Sequence, residues 1–222
     1  MDKPKSSVKP TFYPTLFLFF IPIVVLTIYI YMYGNHTAFL YINNSFHSAF
    51  FDIIMPYVTM MGEWVVIFPI IIIIAFASYK KALGLALSGI LAFIIVQSLK
   101  EFMFADVARP AGVYANDLSA IYMVENTDLH SSYSFPSGHT AGAFLWCLSL
   151  AFYFNKTYIT IGLLLLACLT GWSRIYLAQH FPIDVVVGGI IGIASSCFIE
   201  VWISKTKKFK GDGNFMTLFR KK

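Results

Sequence analysis

Six apolar runs, each close to the length of a bilayer-crossing helix, constrain this 222-residue chain more than any other feature of it. They are Thr15–Tyr33, Met60–Ala77, Ala82–Leu99, His139–Phe154, Tyr158–Tyr176 and Pro182–Ile203. Charged residues are only 12% of the chain and mean hydropathy is +0.72, which excludes an ordinary soluble globule. The expected fold is all-α: a polytopic membrane protein with six transmembrane helices. Residues 15–204 would form one membrane domain, flanked by basic cytoplasmic tails at 1–14 and 205–222. No small-residue cleavage site follows the first run, so it reads as an uncleaved helix.

The connections carry information of their own. Asn155-Lys156-Thr157 is so short a turn that its flanking helices must be antiparallel neighbours. Gly188, Gly189 and Gly192 predict close helix approach in the last span. Gly34 to Asp52 mixes polar and aromatic residues without Lys or Arg, as expected of a segment on the outer interface. Glu101 to Gly138 is the one long polar loop, a length usually reserved for function, and its Tyr114, Tyr122, Tyr133 and Phe135 are expected on the membrane surface.

Net charge is +5, but six spans would collect 13 of the 16 Lys and Arg residues on one side. The positive-inside rule makes that side cytoplasmic and removes the need for a nucleic-acid partner. A multi-pass plasma (inner) membrane protein with both termini cytoplasmic is the expectation. Cys147, Cys168 and Cys197 lie in apolar runs without paired spacing, so neither a disulfide nor a metal site is expected.

Lys100, Arg109 and Arg174 oppose the charge bias, and each adjoins a stretch with chemistry. In Tyr133–His139, Pro136, Ser137 and Gly138 read as a helix start with N–H groups facing outward. Ser173–Asp184 supplies Arg174, His180 and Asp184 at the junction of the last two runs. If the runs fold antiparallel, these groups meet at the outer headgroup level, where cations beside a helix N-terminus form a cage for a phosphate.

Lys100 with Arg109-Pro110, Pro136-Ser137-Gly138-His139, and Ser173-Arg174 with His180 and Asp184 together resemble the signatures of the type 2 phosphatidic acid phosphatase superfamily. Eight residues separate Lys100 from Arg109, where the commoner spacing in that family is six. The resemblance implies a membrane lipid phosphatase with an extracytoplasmic active site. His180 would attack phosphorus, Asp184 would orient it, and His139 would serve as acid and then base. Lys100, Arg109, Ser137, Gly138 and Arg174 would bind the phosphate. No metal or cofactor is implied, and the partners are membrane lipids and a lipid phosphate: polyprenyl diphosphate, phosphatidate, phosphatidylglycerol phosphate or lipid A. A phosphotransferase that passes phosphate to a lipid or sugar hydroxyl, and a non-enzymatic lipid-phosphate binder or transporter, are the competing readings. Glu63, near the outer end of the second run, is a further candidate for lining the headgroup pocket.

Overall fold

The computed structural model describes residues 11–206 apart from Asn126, Asp128 and Leu129; most of both expected basic tails lies outside the described residues. These residues form α1 (Phe12–Tyr33), α2 (Asn35–Ser45), α3 (Ala49–Thr59), α4 (Trp64–Ala77), α5 (Tyr79–Phe102), α6 (Pro110–Val113), α7 (Gly138–Phe154), α8 (Thr157–Tyr176) and α9 (Pro182–Lys205). A 3₁₀ turn, Met60–Gly62, joins α3 to α4, and another covers Leu118–Ala120. The all-helical expectation holds for the described residues.

Four helices, α1, α5, α8 and α9, are long and apolar enough to cross a membrane. The sequence reading counted six runs, and the two that differ do so for identifiable reasons. The run from Met60 breaks at Glu63, where α3 with its 3₁₀ turn meets α4 at 54°, the geometry of a broken span or a re-entrant loop. The other is α7, with 17 residues, about 26 Å long at the helical rise.

Helix α7 is the centre of the bundle: it packs against α9, α8 and α5, and α1 leans on α9 and α7 from outside. Phe144, Trp146, Cys147 and Leu148 are buried in its core-facing surface. The α7–α9 contact is backbone on backbone: a Cβ on Gly192 would stand 2.3 Å from the Ala141 carbonyl oxygen, and one on Gly188 2.4 Å from that of Ser137. These distances leave room for no side chain, which accounts for the glycines of the last helix. At the other end of the bundle, Lys81 and Glu200 pair at 2.8 Å.

The long loop is pinned over α2 and α3 rather than spread on lipid. Asn43 is fully buried. Its amide donates to the carbonyls of Tyr122 at 3.1 Å and Tyr176 at 3.0 Å, and its oxygen accepts from Tyr122 N–H at 2.7 Å. Asp52 accepts from the hydroxyls of Tyr122 at 2.7 Å and Tyr176 at 2.5 Å. Tyr114 stacks on Phe39, and Phe135 meets Phe104 edge-on. Of the four aromatics expected at the membrane surface, Tyr133 is the exposed one; the others find partners that the α2–α3 pair and the loop itself supply.

Candidate active site

The turn from α8 to α9 is a helix terminus closed on itself. The Arg174 carbonyl accepts from the N–H groups of Gln179 at 3.0 Å and His180 at 3.2 Å, and Ala178 takes a left-handed conformation with φ 51°. That closure turns the chain so that His180, 1% exposed, stands at the mouth of α9. One turn on, Asp184 Oδ2 lies 3.4 Å from His180 Nδ1. The same oxygen accepts from the Phe181 N–H at 2.9 Å and the Ser134 hydroxyl at 2.5 Å. Asp184 therefore caps its own helix and faces the histidine at once. Burial, then the nearby Arg174, Arg109, Lys100 and His139, hold the His180 pKa well below its ordinary value.

Helix α7 starts as the proline-serine-glycine pattern predicts, with one correction. Ser137 is its N-cap: the hydroxyl accepts from Thr140 N–H at 3.4 Å and from the Thr140 hydroxyl at 2.9 Å. The Ser137 N–H is not a free donor, because it donates to the Asp184 carbonyl at 3.0 Å. The orphan donors of this helix end are those of Gly138 and His139.

Between α4, α5 and α7 lies a cleft of about 380 Å³. Its polar end is lined by Glu63, Lys100, Arg109, Gly138, His139 and His180. The remainder is largely apolar, with Trp64, Val65, Phe93, Val96 and Leu145 in its walls, several of them at the bundle surface. Lys100 Nζ donates to the Tyr133 carbonyl at 2.9 Å. Arg109 donates to the Ser132 carbonyl at 2.9 Å and to Gln179 Oε1 at 2.8 Å. Arg174 lies buried beside the cleft, 5% exposed; one terminal nitrogen donates to Thr59 at 2.6 Å and its Nε has no partner.

Of the eight sequence-predicted site residues, Lys100, Arg109, Gly138, His139 and His180 line the cleft, while Ser137, Arg174 and Asp184 stand behind them. Ser134 and Gln179 were not singled out from the sequence, though both adjoin residues that were. Thr59 carried no signal at all. Glu63 had been weighed only as a lining group, whereas its Oε1 lies 2.8 Å from His139 Nε2.

The model of the PAP2 superfamily matches residues 81–208. A lipid A 4'-phosphatase of Bacteroides thetaiotaomicron is 29% identical over 161 residues, 70% of this chain and 71% of that protein. The undecaprenyl-diphosphatase BcrC of Bacillus subtilis is 29% identical over 160 residues, 67% of this chain and 73% of the other. Among solved structures, that of Aquifex aeolicus LpxE superposes with a TM-score of 0.66 at 33% identity, covering 75% of this chain and 94% of the other.

Proposed function

This chain belongs to the PAP2 superfamily and is a membrane lipid phosphatase, and from that premise we propose that it works through a phosphohistidine formed on His180. The reading rests on one observation: a buried histidine–carboxylate pair, a second histidine and two cationic side chains meet at the polar end of a cleft whose other walls are largely apolar. Such a cleft suits a phosphate carried on a lipid that stays in the bilayer.

With Nδ1 turned to Asp184, the Nε2 lone pair of His180 attacks phosphorus in line. The N–P bond forms as the P–O bond to the lipid breaks, and the departing oxygen takes a proton from His139. A water then attacks the phosphohistidine, giving its proton back to His139 as the P–N bond breaks and phosphate leaves. Lys100, Arg109, Arg174 and the Gly138 and His139 N–H groups stabilise the equatorial oxygens. Ser137 serves indirectly, by directing those N–H groups. The cationic side chains supply the charge that a metal ion provides in other phosphatases, so the reaction is metal-independent.

The distribution of basic residues supports six crossings, with the α3–α4 pair as one broken span and α7 as a short unbroken one. On that topology, residues 15–204 form the membrane domain, the tails 1–14 and 205–222 are cytoplasmic, and the site opens on the outer face of the inner membrane. Labelling of a cysteine introduced at His36 by an impermeant reagent in intact cells tests the sidedness.

The deciding experiment is phosphate release in EDTA from a panel of lipid phosphates, with His180→Ala in parallel and acid-labile phosphoenzyme measured on quenching. Release by the wild type alone, with a trapped phosphohistidine, supports the scheme. Activity restored only by a divalent ion contradicts it, and phosphate appearing on an added lipid or sugar hydroxyl identifies a phosphotransferase instead.

A further inference from the structure

In-line transfer sets the leaving oxygen opposite the attacking nitrogen. With His180 as nucleophile and His139 as acid, the group that departs lies beyond His139, where the cleft wall is Glu63 and the apolar side chains of α4 and α5. Lys100 and Arg109 line the same cleft and are tied to the carbonyls of Tyr133 and Ser132, and Arg174 lies within electrostatic reach of Glu63. The side chain that stands against the acid on the leaving-group side is therefore a carboxylate.

That carboxylate is held in place by the fold. Glu63 is the residue on which the chain bends from the 3₁₀ turn into α4. The bend is pressed onto α7 backbone to backbone, since a Cβ on Gly62 would stand 2.2 Å from the His139 carbonyl oxygen and one on Gly142 2.3 Å from that of Gly62. Trp146 Nε1–H donates to the Met61 carbonyl at 2.6 Å and fastens the same turn. Glu63 Oε1 then reaches His139 Nε2 at 2.8 Å, with a little under half of its side chain exposed.

We infer that Glu63 makes this enzyme selective for lipid phosphomonoesters over diphosphates. When a monoester is cleaved, the departing oxygen takes the His139 proton and leaves as a neutral hydroxyl, and a neighbouring sugar or glycerol hydroxyl can donate to Glu63. When a diphosphate is cleaved, the P–O–P bridge breaks and the leaving group is itself a phosphate anion. It would be delivered against the Glu63 carboxylate between largely apolar walls, where like charges repel strongly. The inference rests on the phosphatase reading of the same cleft and goes beyond it by naming the class of leaving group.

Diacylglycerol phosphate and diacylglycerol diphosphate carry the same tails and separate the two cases. Phosphate release in mixed micelles containing EDTA gives kcat/KM for each with wild type, Glu63→Gln and Glu63→Asp. Because each ratio is taken on one preparation, any loss of folded protein cancels. The wild type should favour the monophosphate, Glu63→Gln should lower the ratio by about tenfold or more while its turnover of monophosphate relative to an aryl phosphate stays at the wild-type value, and Glu63→Asp should keep both; a fall in the latter ratio instead would mean that Glu63 acts through His139 and overturns the inference. A wild type that favours the diphosphate, or a Glu63→Gln ratio within about twofold of the wild type's, overturns the inference. Failure of the phosphatase reading looks different: the wild type releases phosphate from neither lipid.

Discussion

The backbone N–H of Ser137 donates to the carbonyl of Asp184 at 3.0 Å, so the start of the helix bearing His139 is fastened to the first turn of the helix that begins after His180. The two proposed catalytic histidines are thereby kept in register by one backbone bond and the glycine contact beneath it. Gly188→Ala places a methyl 2.4 Å from the Ser137 carbonyl and must push the helices apart. Overpacking of this kind costs about 1–3 kcal/mol. Thermal unfolding in detergent should show the loss, and kcat should fall with it. An unchanged kcat would mean that this register does not matter to turnover.

His180→Ala removes the attacking nitrogen and leaves the cationic groups in place. Turnover of a lipid phosphate should drop by at least about a thousandfold, the scale seen when a nucleophile is deleted from a covalent mechanism. Binding of a non-hydrolysable lipid phosphonate, measured by calorimetry, should stay within about threefold of the wild type, since the phosphate contacts come from other residues. Activity above a few per cent of the wild type's would remove His180 from the role proposed here.

His139→Ala should discriminate by leaving group. For a lipid ester, whose alkoxide needs a proton, the loss should be about 10²–10⁴-fold. For an aryl phosphate with an acidic phenol as leaving group, the first step needs no acid and the loss should be smaller by at least about tenfold. Equal losses with the two substrates would assign His139 to phosphate binding alone.

The environment of His180 sets an expectation for pH. Burial and the surrounding cations depress its pKa, so the neutral, nucleophilic form persists below the ordinary histidine range. With an aryl phosphate, kcat/KM should not fall as pH drops through about 6.5, where an unperturbed imidazole would become protonated. A break at that pH that persists in His139→Ala would show an ordinary solvated imidazole at His180. The same depression bears on stability: between the folded and unfolded pKa values the unfolded chain binds the extra proton, so this contribution shrinks as pH falls below about 6.5.

Much of this site was readable from the chain because its parts are local. Arg174, His180 and Asp184 fall within eleven residues, and a helix end plus a helix start bring them together without reference to the rest of the protein. Pro136 to His139 likewise encode their own helix start. Thr59 and the contact of Glu63 with His139 escaped because the partners are 115 and 76 residues away, and the packing of α3 and the 3₁₀ turn on α8 and α7 joins them. The bend at Glu63 was hidden for another reason. Met60–Ala77 is apolar apart from Glu63, and hydropathy alone does not register a backbone contact between Gly62 and α7.

Asn43 links the loop to the nucleophile's turn, and its loss should be felt there. Its amide satisfies the carbonyls of Tyr122 and Tyr176 and its oxygen the Tyr122 N–H, all near the end of α8 from which His180 is presented. Asn43→Ala takes the side-chain donor from both carbonyls, at about 1–3 kcal/mol for each one left buried and unpaired, while the Tyr122 N–H keeps Asn44 Oδ1 at 2.9 Å. The protein relieves that cost by letting water in, which requires the loop around Tyr122 to lift from α8. Amide hydrogen exchange should therefore accelerate at residues 120–124 and 175–180, with kcat reduced and α1 and α5 unaffected. Asn43→Asp keeps the acceptor and loses both donors, so it should retain protection at Tyr122 while freeing the α8 carbonyls. If Asn43→Ala left exchange at both segments unchanged, the loop would be held by Asn44, which bonds Ala120 and Tyr122, and by the Asp52 bond to the Tyr122 hydroxyl, and Tyr122→Phe would test the latter.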